Sequence, residues 1–179
     1  EDVTERFHPC QQRAIETLVY CQEILQARTL QKVFERVAPE ALYQHLPLKQ
    51  EVETIPFPKY ALKMATGSGK TWVLAALLVW QYFNRLNDER PGSYSFRFLV
   101  VTPGHEVLNR LLDSFKGKRD LNTGNRMPDT SDYKRSLFMP EGAYWRDRFH
   151  LDILEPDDVK PNTTPSDGAF VFITNWQQF

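Results

Sequence analysis

Apolar positions along the chain follow two rhythms. After Pro9, the residues Ala14, Ile15, Leu18, Val19 and Leu25 recur at intervals of three and four. Val33, Phe34 and Val37 carry the stripe on to Pro39, so the spacing predicts one long helical stretch. Pro47, Pro56 and Pro58 then mark a linker or surface excursion. Residues 60–65 (YALKMA) read as a short buried strand running into a glycine-rich turn. Residues 72–86 are apolar on nearly every side, which predicts a helix covered by other elements. A loop over 87–95 leads to a second strand at 96–102 (FRFLVVT), rich in β-branched and aromatic residues. Pro103 and Gly104 open a third helix with one stripe of Val107, Leu108, Leu111, Leu112 and Phe115, and Gly117 ends it.

From 118 to 168 the pattern is poor, apart from an alternation at 148–154 (RFHLDIL) that reads as a half-exposed strand. Residues 169–174 (AFVFIT) form a clear last strand. Strand, helix, strand, helix and strand in that order predict an α/β fold, a parallel sheet with crossover helices. The expected organisation is the N-terminal part of one domain over 1–179. Within it we read a helical segment at 1–59, a core at 60–117, an insertion or irregular region at 118–168 and the last strand at 169–179. The chain opens on Glu1 without an initiator Met and stops at Phe179 just after that strand, so it reads as a piece of a larger protein whose sheet is truncated at its C-terminus.

Composition narrows the partners little. Hydrophobic residues at 41% and charged residues at 25% suit a soluble globular chain. Lys plus Arg (22) nearly cancels Asp plus Glu (23), so the net charge of −1 gives no global pull toward nucleic acid. Cys10 and Cys21 form no CxxC pair and read as structural thiols in a reducing cytoplasm. Four scattered histidines show no zinc spacing, so no structural metal is expected. The longest apolar run, 72–80, is far shorter than the roughly 20 residues a membrane span needs, and no signal peptide opens the chain.

The strongest chemical signal is TGSGKT, Thr66 to Thr71, between a predicted strand and a predicted helix. Glycines let a backbone wrap closely around a phosphate, and the N–H groups of a helix start then face the anion. In such a loop Thr66, Gly67, Ser68 and Gly69 cradle phosphates, Lys70 reaches the β- and γ-phosphates of ATP, and the Thr71 hydroxyl ligates Mg²⁺. The general pattern G-x-x-x-x-G-K-S/T would put glycine at 64, where this chain has Met64.

With that loop placed, the chain resembles the first RecA-like domain of superfamily 2 helicases and translocases. It looks most like the motor (Res) subunit of type III restriction enzymes, where the loop is commonly written MATGSGKT or MATGTGKT. Residues 7–15 (FHPCQQRAI) are similar to the family segment in which a glutamine three before an alanine reads the adenine edge. The resemblance gives that role to Gln11, ahead of Ala14, and stacking on the base to Phe7 or Arg6. Residues 101–112 (VTPGHEVLNRLL) look like the family's strand-to-helix motif that touches the nucleic-acid backbone, with Thr102, Pro103 and Gly104 in those places. His105 and Asn109 are helpers there. A tight strand-to-helix turn is also what a parallel sheet needs at this point. Residues 172–179 (FITNWQQF) resemble the ITN segment of restriction motors, implying that Thr174 and Asn175 face DNA while Trp176 packs or stacks.

The resemblance implies an ATP-dependent DNA helicase or translocase, with RNA not excluded as the track. It also implies partnership with the remaining helicase domains of the same chain and with a methyltransferase (Mod) subunit. No Walker B box follows a strand, since Asp88 and Glu89 sit in a loop after a helix, and the second RecA domain is absent. The chain alone is therefore expected to bind nucleotide without turning it over. Three rivals stand beside this reading, and one is a binding module that holds nucleotide or DNA without turnover. A kinase or transporter ATPase would share the loop but needs no glutamine segment ahead of it. A metal-dependent nuclease would use Pro128, Asp129, Asp158 and Lys160 as a loose PD…DxK set, against which a solvated loop is the simpler explanation.

Overall fold

The computed structural model describes residues 6–27, 29–40, 59–88, 92, 94–135, 137–139, 143–159 and 168–178. The chain divides into two compact units, one of residues 7–73 and one of residues 74–179 with the first six.

In the first unit, α1 (Pro9–Val19) starts at a proline whose fixed φ suits a helix start. Its predicted stripe, Ala14, Ile15, Leu18 and Val19, is the partly covered face, with exposed neighbours between. The helix does not run through to Pro39 as the spacing suggests. It loosens into a π-helical turn at Tyr20–Ile24, and Gln26 adopts a left-handed φ of 47°. A new helix, α2 (Leu30–Val37), then starts where the Thr29 hydroxyl accepts the Lys32 N–H at 3.2 Å. The apolar period survives such a break, because periodicity is blind to one residue of αL backbone and to a fresh N-cap. The excursion bearing Pro47, Pro56 and Pro58 lies outside the described residues.

Residues 60–65 are not the buried strand their order predicts. They are irregular, and Ala61, Leu62, Lys63 and Ala65 are exposed. A strand exists only with a ladder partner, and alanine, lysine and methionine do little to demand one. A side chain holds this segment instead: the Tyr60 hydroxyl donates to Ala27 O at 2.8 Å.

The helix α3 (Lys70–Asn87) has its first turn in this unit and the rest in the second. There, burial gathers on Ala75, Leu78, Val79 and Tyr82, whereas Leu86 is exposed, so the helix is covered on one face and not all round. The Tyr82 hydroxyl donates to Arg148 O at 2.7 Å and accepts the His150 N–H at 3.1 Å. Rings of Phe96 and Phe149 pack on it.

The sheet has three strands, β1 (Arg97–Thr102), β2 (Leu151–Leu154) and β3 (Ala169–Asn175), in the order β1-β3-β2 and all parallel. Val101 pairs with Thr174 and Thr102 with Asn175, while Leu154 meets Phe172. The last strand in sequence is thus the central one, and its Val171 and Ile173 are fully buried. The helix α4 (His105–Phe115) buries Leu108, Leu111, Leu112 and Phe115, the predicted stripe without the exposed Val107. Gly117, at a φ of 97°, ends it, and a Cβ there would lie 2.1 Å from Met127 O. The sparse 118–168 segment contains 3-10 turns, the short helix α5 (Ala143–Arg146) and β2.

Candidate functional site

The loop of the first unit is built by two glycines and three side chains. Gly67 and Gly69 sit at φ of 78° and 75°, the left-handed region where a Cβ is penalised. Between them and Ala65 the backbone turns back, with Ser68 N–H donating to Ala65 O at 3.4 Å and Ser68 Oγ at 2.7 Å. Lys70 Nζ folds over the same carbonyl at 2.8 Å. The lysine thereby closes a ring around the loop, with its ammonium on the side where α3 begins.

At that helix start, the Trp72 and Val73 N–H groups bond to Gly69 O at 2.9 and 3.4 Å. Helix geometry leaves the N–H groups of Lys70 and Thr71 without an intrahelical acceptor. The first turn carries no acidic residue to oppose the dipole. Orphan amides, a helix N-terminus and one ammonium are the kind of groups that suit a compact polyanion. Thr71 is half-buried in that turn, and its hydroxyl is a hard oxygen of the kind Mg²⁺ takes beside phosphate and water.

Gln11 is 5% exposed and reaches this loop across 57 residues of sequence. Its Nε2 donates to Ser68 O at 3.0 Å and to Gly69 O at 3.4 Å, while its Oε1 accepts the His8 N–H at 2.8 Å. Both ends of the amide are therefore engaged inside the unit. A Cβ on Gly69 would fall 2.1 Å from Gln11 Nε2. Phe7 is partly covered beside the start of α1.

In the second unit the strand tips carry the other predicted residues. Thr102, Thr174 and Asn175 are all buried. Thr102 Oγ1 donates toward Gly104 O and Thr174 O, each at 3.2 Å, and Thr174 Oγ1 donates to Gln178 Oε1 at 2.6 Å. Asn175 Oδ1 accepts the Gln177 N–H at 3.0 Å, which turns its Nδ2 toward the His105 ring. Pro103, His105 and Trp176 are exposed at this tip, as are Gln177 and Gln178, and the Trp176 indole N–H donates to Pro103 O at 2.8 Å. The structure brings the predicted residues to one strand tip, but Thr102, Thr174 and Asn175, expected there to meet DNA, have their side chains buried.

Of the loose nuclease set, Asp158 is taken up by an ion pair with Lys116 Nζ at 2.6 Å, which also holds Glu155 at 2.8 Å, and Lys160 lies outside the described residues. Among the described residues no three of His, Cys, Asp or Glu converge as metal ligands, and no helix is long and apolar enough to cross a membrane.

Residues 5–151, most of the chain, match the family described as type III restriction enzyme, res subunit, a superfamily 2 helicase-type domain. The chain belongs to that family. No curated protein and no solved structure matches it. The res-subunit match takes in α1, the glycine loop, β1 and α4, and ends at the first residue of β2, so β3 with Thr174 and Asn175 lies past it. The small parallel α/β sheet agrees with a RecA-like fold.

Proposed function

We propose that residues 64–71 are the phosphate-binding loop of an ATP-dependent DNA motor, the translocating part of a type III restriction enzyme. One observation carries this reading: two left-handed glycines bend the loop under Lys70 at the start of an 18-residue helix with no acid in its first turn. Met64 in place of glycine is what the restriction-motor form of the loop has. Lys70 neutralises the terminal phosphates, the amides of Gly67 to Thr71 cradle them, and Thr71 Oγ1 supplies one Mg²⁺ ligand. Magnesium brings charge neutralisation to the triphosphate when bound.

The DNA path runs over the tip formed by Thr102, Pro103, Gly104, Thr174 and Asn175. Buried Thr102, Thr174 and Asn175 fix the shape of that tip, while the backbone at Gly104 and the exposed Trp176 and His105 meet the strand. The methyltransferase subunit and the rest of the helicase act with it in the parent enzyme, in the cytoplasm. Hydrolysis needs a metal-holding carboxylate and a transition-state arginine beyond these residues, so the chain alone binds nucleotide without turnover.

The test is titration of a fluorescent ATP analogue with Mg²⁺ against wild type and Lys70→Ala. Loss of one ammonium from a phosphate site lowers affinity by about tenfold to a hundredfold. Equal binding by the two proteins, both folded by circular dichroism, would sink the assignment. DNA binding that weakens steeply with salt supports the motor over a small-molecule kinase.

A further inference from the structure

The later turns of α4 carry a charged cluster that the strand tip does not use. Arg110, Asp113 and Ser114 line a cavity of about 550 Å³ together with residues of the irregular segment that follows, among them Lys118, Lys134 and Arg135. Two of its acids are already neutralised. Asp132 takes Arg135 Nε at 2.8 Å and the Ser114 hydroxyl, and Asp113 takes Arg126 at 2.9 Å. Arg110, Lys118 and Lys134 are exposed and make no ion pair or side-chain hydrogen bond among the described residues. Three cations thus border one cavity against a single uncommitted acid, Asp129. Cations gathered in this way repel one another, and an anion among them reverses the sign. Among the described residues no aromatic ring lines the cavity, so it offers nothing for a base to stack on. A small-molecule site is mostly apolar and encloses its ligand. This one is polar and rimmed by exposed side chains, which suits the phosphates of a polymer lying across it.

We infer that Arg110, Lys118 and Lys134 form a second DNA contact, separate from the strand tip, that takes backbone phosphates. This rests on the DNA-motor reading above and extends it to residues outside the tip. Helix α4 starts at that tip with His105, and from there to the turn bearing Arg110 to Ser114 it rises by about 10 Å. Along one strand of B-DNA that is about three nucleotides, so a short duplex is long enough to reach both places. Point charges on flexible stems meet phosphate oxygens without registering which base they belong to. The contact therefore anchors the track and leaves its sequence unread.

The test compares the wild-type chain with a triple variant, Arg110→Gln, Lys118→Gln and Lys134→Gln. A control loses three exposed cations elsewhere, by Arg13→Gln, Lys32→Gln and Arg97→Gln. Fluorescence anisotropy follows binding of two short labelled duplexes of unrelated sequence between about 50 and 200 mM salt, with helicity checked by circular dichroism. The triple variant is expected to bind both duplexes about tenfold to a hundredfold more weakly, with a salt slope shallower by about three. The control is expected to stay within about threefold of wild type, since distant exposed charges are screened. A control that loses as much as the triple variant reduces the effect to net charge and overturns the inference. A triple variant that binds both duplexes like wild type overturns it as well, and leaves the DNA-motor reading standing. Unchanged duplex binding with loss of inorganic tripolyphosphate, measured in a Lys70→Ala background, makes the cavity a site for free oligophosphate and overturns the DNA assignment. A wild-type chain that binds neither duplex overturns the DNA path itself, and the inference with it.

Discussion

At Gly69 two separate demands fall on one residue. Its φ of 75° penalises any Cβ, and the space a Cβ would take is filled by Gln11 Nε2. Gly69→Ala is therefore expected to destabilise the chain by about 1–2 kcal/mol from the left-handed backbone alone, before the cost of displacing Gln11. Adding Gln11→Ala relieves the collision and leaves the torsional part. Urea unfolding of both single variants and the double checks this: the double should be less destabilised than the sum of the singles, yet remain below Gln11→Ala. If Gly69→Ala unfolds at the wild-type urea midpoint, the loop does not have this conformation. The turn at Gly67 and Gly69 was legible in the sequence because a glycine loop ahead of a helix is a local pattern. The Gln11 contact was not, since nothing in a helix start says which carbonyl, 57 or 58 residues away, its amide will find.

Among elements, the charged clamp behind α4 decides how the irregular segment is held. Lys116 bonds Glu155 and Asp158 just beyond β2, and Arg126 bonds Asp113 at 2.9 Å and Gly117 O at 2.8 Å. Burial works against the ionised Asp158, but hydrogen bonds from Lys116 and the Glu155 N–H, with the charge of Lys116, outweigh it and hold the carboxyl below its ordinary value of 3.8. A depressed folded value means the stabilisation is complete above pH 3.8 and is lost as pH falls through the lower folded value. Lys116→Met should cost about 1–3 kcal/mol at neutral pH, since Glu155 is more covered than an open surface carboxylate. It should also flatten the fall in urea midpoint between pH 5 and pH 2.5; a slope equal to wild type would remove this pair from the account. Helix α4 could be read from its apolar stripe, and β1, β3 and α3 from short runs of β-branched, aromatic and apolar residues. The break after Ile24 and the absent strand at 60–65 could not, because a left-handed residue and a missing ladder partner leave the hydrophobic period unchanged.

At the scale of the whole chain, order is unevenly secured. The second unit rests on a central strand flanked on both edges, with Val171 and Ile173 at 0% exposure and α4 packed against the sheet. The first unit has few fully covered side chains, with Gln11, Leu25, Ala27 and Val73 its buried residues among those described. Its glycine loop is placed by an amide, a tyrosine hydroxyl and an ammonium rather than by a ladder. The irregular run at 60–65 has a consequence on the clock of solvent deuterium. Amides of residues 61–65, without ladder bonds, should exchange within seconds to minutes, while those of β3 wait for global opening. Hydrogen-exchange mass spectrometry resolves the two peptides directly, and protection of 61–65 equal to that of β3 would contradict the structure. Saturating Mg²⁺-ATP should slow exchange in the loop that follows and leave β3 where it was. On the nucleotide-site reading, a bound anion would then add protection that no ladder supplies to the loop.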